Sequence, residues 1–185
     1  MSTRIASVSA AALAALVFCV GTASQAQGSG LSIEAHAKEN VSAASIGLPH
    51  FPTAKPDRNA RSDSAADIGM SFGRFHFRVM VAKYVTYATA ANVLDFYRKP
   101  LSKYGEVLDC DHGIAVGAVK VAKSGLTCAE TQGKRVHAGD DGSTHRELRS
   151  GTPEQYRIVA LDSADSTPTR FTLVLLEVPK DDDAH

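Results

Sequence analysis

One stretch of this sequence repeats its apolar side chains at the spacing of an α-helix, and it is flanked by segments that alternate with the period of a strand. Ala90, Val93, Leu94, Tyr97, Leu101 and Tyr104 fall on one helical face, while Asn92, Asp95, Arg98, Lys99, Ser102 and Lys103 fill the other. Thr89 stands where an N-cap hydroxyl belongs and Gly105 where a C′ glycine belongs, so the spacing predicts a helix over about 89–104. Pro100 breaks the pattern. An interior proline loses one backbone hydrogen bond and costs about 3 kcal/mol, which predicts a kink or an early end there. A lone amphipathic helix must bury its stripe on another layer, and the period-two segments supply one.

Segments 66–72 and 75–86 read as two strands joined at Gly73. In the second, Phe75, Phe77, Val79 and Val81 alternate with Arg74, His76 and Arg78, the pattern of a sheet with one wet face. Beyond Met80 both faces turn apolar, so the strand is expected to run beneath a covering element. Further strands are expected at 106–110, 114–122 and 126–128, then at 145–149 and 155–161 joined through Ser150-Gly151-Thr152-Pro153. In the last strand, 170–178, Phe171, Leu173 and Leu175 interleave with Val174, Leu176 and Val178, which places it mid-sheet with both faces covered. The expected fold class is α+β, a mostly antiparallel sheet of about 6–8 strands packed against one main helix.

The ends of the chain speak to location. Arg4, an apolar run from Ala10 to Val20 and the small-x-small Ser24-Gln25-Ala26 read as a signal peptide over 1–26, cleaved near Ala26. That run is too short for about 30 Å of hydrocarbon, and no later segment approaches the ~18 consecutive apolar residues of a membrane span. The expected product is periplasmic or secreted. Residues 27–59, rich in Ala, Ser and Pro, read as a flexible N-terminal segment. Within it Ile46, Leu48 and Phe51, set among Pro49, Pro52 and Pro56, suggest an extended strap lying across the domain. A single domain over 60–180 and an acidic disordered tail over 181–185 complete the plan. Lys plus Arg (20) equal Asp plus Glu (20), so neither a nucleic-acid partner nor an anionic membrane surface is implied.

Cys19 falls inside the leader, and Val17-Phe18 before it are too large for a lipoprotein site. Cys110 and Cys128 remain, an even pair in an oxidising compartment, and are expected to form a disulfide. It would close a loop of about 18 residues and stabilise the fold by about 3 kcal/mol. The spacing is too wide for a C-x-x-C redox pair.

Val81-Ala82-Lys83-Tyr84, Val93-Leu94-Asp95-Phe96-Tyr97-Arg98, Leu101-Ser102-Lys103-Tyr104-Gly105, the Glu147–Pro153 stretch and Arg157-Ile158-Val159-Ala160 together resemble a group of uncharacterised bacterial exported proteins. The resemblance covers roughly 66–178 and departs at Pro100, where an alanine-like residue is expected. It implies an envelope or secreted domain and carries no activity to any residue.

Candidate chemistry is sparse. Of the seven histidines, His137 and His145 share a segment with Asp140 and Asp141. These four could converge on a cation, but they lack the i, i+4 histidine pair of a zincin and the oxygen spacing of a calcium loop, so the segment reads as a solvated turn. Cys110-Asp111-His112 offers a thiol, a carboxylate and an imidazole, yet neighbours on a strand point to opposite sides and form no relay. The mature chain has no G-x-S-x-G or S-x-x-K element, and its glycines do not open a helix as a phosphate cradle requires. The expectation is therefore an exported non-catalytic domain without a cofactor, binding an envelope protein or small ligand through Arg74, His76 and Arg78 on the sheet face opposite the helix. The alternatives are a metal-dependent hydrolase using the His137–His145 loop and a periplasmic folding or assembly factor, the latter calling for an exposed apolar groove.

Overall fold

The computed structural model describes residues 41–58, 65–72, 75–128, 146–162 and 167–179. The leader expected over 1–26, the segment 27–40, the loop expected over 133–144 and the tail expected over 181–185 lie outside the described residues.

Among the described residues the α+β expectation is met by one helix and an eight-stranded sheet in which every pairing is antiparallel. The strands are β1 (Lys55–Pro56), β2 (Ala65–Phe72), β3 (Phe75–Thr86), β4 (Leu108–Asp111), β5 (Ile114–Ala115), β6 (Arg146–Gly151), β7 (Gln155–Leu161) and β8 (Thr169–Glu177), with helix α1 (Ala90–Leu101) between β3 and β4. The order is β1-β3-β8-β7-β6-β4-β5, and β2 pairs with β3 beside β1. Strand β8 lies in the interior of that order, and Phe171, Leu173, Leu175, Val174 and Leu176 are all buried, as its doubly apolar pattern requires. At about 3.3 Å per residue β3 runs some 40 Å. Only Arg78 to Thr86 of it pairs with β8, so Phe75 to Phe77 extend past the sheet in a two-stranded arm with β2.

Helix α1 begins where the sequence indicates. Thr89 is extended (φ −68°, ψ 155°) and its hydroxyl accepts from the Asn92 N–H at 3.3 Å. Val93, Leu94, Tyr97 and Leu101 form the buried stripe. The expected end near Tyr104 gives way to Leu101, with Pro100 in the last turn and Ser102 as C-cap. The Ser102 N–H donates to the Arg98 carbonyl (3.0 Å) and the Tyr104 N–H to that of Leu101 (2.9 Å), a tightened exit in which the proline's missing donor costs little.

The helix-bearing face of the sheet presents Met80, Ala82 and Tyr84 of β3, Leu173 and Phe171 of β8, Val159 and Leu161 of β7 and Leu148 of β6. The same cluster holds Val41, Ala43, Ile46, Leu48, Phe51 and Ala54, all buried. The strap is thus present, and it begins earlier than expected. Residues 41–58, assigned to the flexible segment on composition, belong to the domain, because their apolar side chains complete a core that one helix of twelve residues cannot close. On the opposite face Leu108 and Cys110 pack with Ala122, Leu126 and Cys128, and Ile158, Ala160 and Val174 pack with Val79, Val81 and Tyr156.

The strand expected over 114–122 shrinks to two residues. Its alternation survives as exposure, since Ile114, Val116, Ala118 and Lys120 face water while Ala115, Gly117 and Val119 are half-buried. The chain must return to Cys110, which is bonded to Cys128 with the Cα atoms 5.6 Å apart. It folds back on itself: Lys120 Nζ donates to the Ala115 carbonyl (2.6 Å), the turn at 122–125 closes through Gly125 N–H to Ala122 O (2.8 Å), and Val121 meets Thr127 in a single bridge. The segment expected to return at 126–128 makes only that bridge.

Between β6 and β7 the chain reverses through Thr152 and Gln155, whose backbones exchange hydrogen bonds of 2.9 and 3.2 Å. Gly151 precedes this turn at φ +136°, and a Cβ there would lie 2.3 Å from the Gln155 carbonyl oxygen, so no other residue fits.

Replacing both cysteines (C110A/C128A) is expected to lower unfolding free energy by about 3 kcal/mol while leaving the far-ultraviolet circular dichroism unchanged, as urea titration at neutral pH would measure.

Candidate functional site

Arg74 lies outside the described residues. His76 and Arg78 are exposed on β3, but not on the expected face. They share the parity of Met80, Ala82 and Tyr84, and the register through this stretch has no bulge, so they project on the helix-bearing side, beyond its apolar core. The sequence alternation separates two faces without saying which the helix covers. The apolar set Phe77, Val79, Val81 suggested the odd-numbered one.

Arg78 is already engaged. Its Nε and Nη2 donate to Oδ1 and Oδ2 of Asp67 at 3.0 and 2.8 Å, a bidentate pair with the carboxylate buried. Glu177 stands directly opposite in register. The hydrogen bond to Asp67, outweighing the opposing cost of burial and helped by both negative charges, holds the guanidinium above its ordinary value.

The densest polar convergence is elsewhere, on Asp109 of β4. The carboxylate is buried, with Arg98 Nη2 from α1 at 2.6 Å from Oδ2 and Arg146 Nε and Nη2 from β6 at 3.1 Å from Oδ1 and Oδ2. Asp95 reaches Arg98 at 3.4 Å one helical turn away. Burial alone would raise the Asp109 pKa, but the hydrogen bonds and charges of Arg146 and Arg98 prevail and hold the carboxyl below the usual range. The cluster ties the helix to the β4–β6 end of the sheet. Both arginines keep outward surface, with side chains 42 % and 43 % exposed, so some of their donors face solvent.

One turn on, Asp111 and His112 meet after all. His112 sits at φ +49°, and this left-handed backbone swings its ring back so that Nδ1 lies 2.6 Å from Asp111 Oδ1. The expectation that these neighbours point apart assumed extended geometry through the turn. The third member of the triplet is spent, since Cys110 is in the disulfide. Beneath the cysteine loop, Glu147 and Arg149 form a pair that water scarcely reaches, and Arg149 Nη1 also donates to the Thr127 carbonyl at 3.4 Å.

His137, Asp140, Asp141 and His145 lie outside the described residues, and among the described residues no group of three or more His, Cys, Asp or Glu side chains is placed to hold a metal ion. No helix among them is long and apolar enough to cross a membrane. An open groove of about 380 Å³ is lined by Lys55, Pro56, Asp57, Arg58 and Val85, and the Asp57 carboxylate is bound by Arg170 Nε at 3.0 Å. The assembly-factor alternative calls for an exposed apolar groove; the apolar space between α1 and the sheet is filled by residues 41–54. Among the described residues, exposed large apolar side chains gather in the cysteine loop as Ile114, Val116 and Val121.

No protein-family model, curated protein or solved structure matches this chain. What the described polar groups do is therefore read from their geometry alone, which is that of carboxylates neutralised by arginines at the joints between elements.

Asp109→Asn tests the central joint. The variant leaves Arg98 and Arg146 without their counter-charge and is expected to lose about 1–3 kcal/mol at neutral pH. Because folding depresses this pKa, the wild-type contribution is complete above the unfolded value near 4 and is lost as pH falls through the lower folded value. Thermal melts across that acid range should show a flatter pH dependence in the variant.

Proposed function

We propose that this protein is an exported, disulfide-bonded domain of the cell envelope that binds an envelope protein or a small ligand and catalyses no reaction. The observation that carries the reading is the bonded Cys110–Cys128 pair, buried against Leu108, Ala122 and Leu126. Such bridges persist in oxidising compartments, and the positive start, apolar run and Ser24-Gln25-Ala26 of the sequence are those of an export leader. The resemblance to exported bacterial proteins points the same way.

A binding role fits the way charge is handled. The arginines paired with Asp67 and Asp109 hold elements together, and Asp111–His112 has no free thiol beside it. His76 and Arg78, displayed on the helix-bearing side of β3, remain together with the sequence neighbour Arg74 the proposed contact strip. Arg78 is held rigid by Asp67 and so meets a carboxylate or phosphate at small entropic cost.

Two measurements check this. Intact mass of the protein from fractionated cells should show a chain beginning near Gln27 with both cysteines oxidised; an intact initiator methionine and free thiols on cytosolic material would refute export. Alanine at Arg74, His76 and Arg78 together should abolish partner capture from envelope extract, with the Arg74/His76 double variant, which keeps the Arg78–Asp67 pair, weakening capture at an unchanged melting temperature; unchanged capture in both would remove the strip.

A further inference from the structure

The helix does not cover its side of the sheet by itself. Helix α1 lies over β6 and β7, and the Ser150 hydroxyl of β6 shares its one proton between the carbonyls of Leu101 (2.9 Å) and Gly105 (3.1 Å) at the helix exit. The rest of the face is filled by the strap. Phe51 meets the rings of Phe96 on α1 (5.0 Å between centroids) and Phe171 on β8 (6.1 Å), and His50 lies edge-on to Tyr84 of β3 at 5.4 Å.

The strap is held as a bound peptide is held. Outside the two residues of β1, its main chain is gripped by side chains of the domain: the Tyr84 hydroxyl accepts from the Ala43 N–H (2.9 Å), Arg157 Nε donates to the Ile46 carbonyl (2.8 Å), the Tyr104 hydroxyl to that of Gly47 (2.6 Å) and the Tyr97 hydroxyl to that of Pro49 (3.1 Å). These contacts join residues 41 to 111 positions apart. The strap also brings its own local structure. Residues 42–48 form a compact turn, with the Leu48 N–H on the Ala43 carbonyl (2.9 Å) and Gly47 at φ +83°. At φ +83° an L side chain is strained at Gly47, and a Cβ there would also press on the Tyr104 hydroxyl, so the bound turn favours glycine. Ile46 and Leu48, either side of it, are buried in the core.

We propose that the groove between α1 and the sheet is a peptide-binding site, occupied by residues 41–57 of its own chain and open to the same segment of a second copy, so that two molecules exchange straps. The groove selects an apolar peptide that turns on a glycine and then extends through prolines. A second copy carries that segment, and exchange re-forms every contact named above, with the entropy of association as the opposing cost. Covalently, the strap joins the remainder of the domain only through residues 59–64.

The test uses the full chain with a protease site substituted within 60–63, cut while folded and mixed with a labelled synthetic peptide of residues 41–58. The two pieces are expected to co-elute on size exclusion, and the labelled peptide to replace the resident strap saturably, with the Gly47→Ala peptide at least ~10-fold weaker. Three outcomes overturn the proposal: unfolding on cleavage, a folded cut protein that takes up no label, or equal uptake of both peptides. Uncut chain refolded from urea should give a dimer whose yield rises with concentration, and a monomer at every concentration would exclude the second copy as occupant.

Discussion

Strand β8 cannot show either face to water, and the architecture follows from that requirement. Phe171, Leu173 and Leu175 on one side and Val174 and Leu176 on the other are all buried, so the sheet needs cover twice. Each large aliphatic or aromatic side chain so enclosed contributes roughly 1.5–3 kcal/mol. On the first side the cover is composite, with α1 above β6 and β7 and the strap completing the layer. On the second side the cysteine loop folds over β4, and Ile158, Ala160 and Val174 form their own cluster with Val79 and Val81.

Polar groups hold these covers in register. Asp109 receives one arginine from the helix and another from β6, Asp57 beside β1 receives Arg170 from β8, and Asp67 of β2 receives Arg78 from β3. In each pair the carboxylate is buried and the arginine partly exposed. That arrangement suits the chemistry, because a guanidinium reaches inward with two parallel donors while its remaining surface stays hydrated. The tyrosines work in the same manner on uncharged partners. Burial, with Tyr84 nearby, pushes the Tyr97 phenol well up, so it stays a neutral donor to the strap.

Much of this was legible in the residues. The helix start at Thr89, the interior position of β8, the hairpin from β6 to β7 and the cysteine pairing all follow from local chemistry: a cap, a doubly apolar strand, turn residues and an even cysteine count. What could not be read depends on contacts distant in sequence. Val41 and Ala43 look like part of a polar, alanine-rich lead-in until Tyr84 and the core supply partners for them. Asp109 looks like the polar side of an ordinary strand, and only the fold brings Arg98 and Arg146 to it; the spacing of Asp95 and Arg98 on one helical face was the single local hint. The face carrying His76 and Arg78 is not legible in the alternation, because where β8 pairs with it β3 is apolar on both sides and the pattern does not say which side the helix covers.

The contact between Lys120 and the Ala115 carbonyl bears on how the molecule keeps to itself. β5 is the terminal strand at its end of the sheet, and a carbonyl there is an invitation to a passing strand. An ammonium already occupies it. Sheet growth from molecule to molecule, the first step toward fibrils, meets a fixed positive charge at that rim, close to the exposed Ile114 and Val116 that would otherwise favour it.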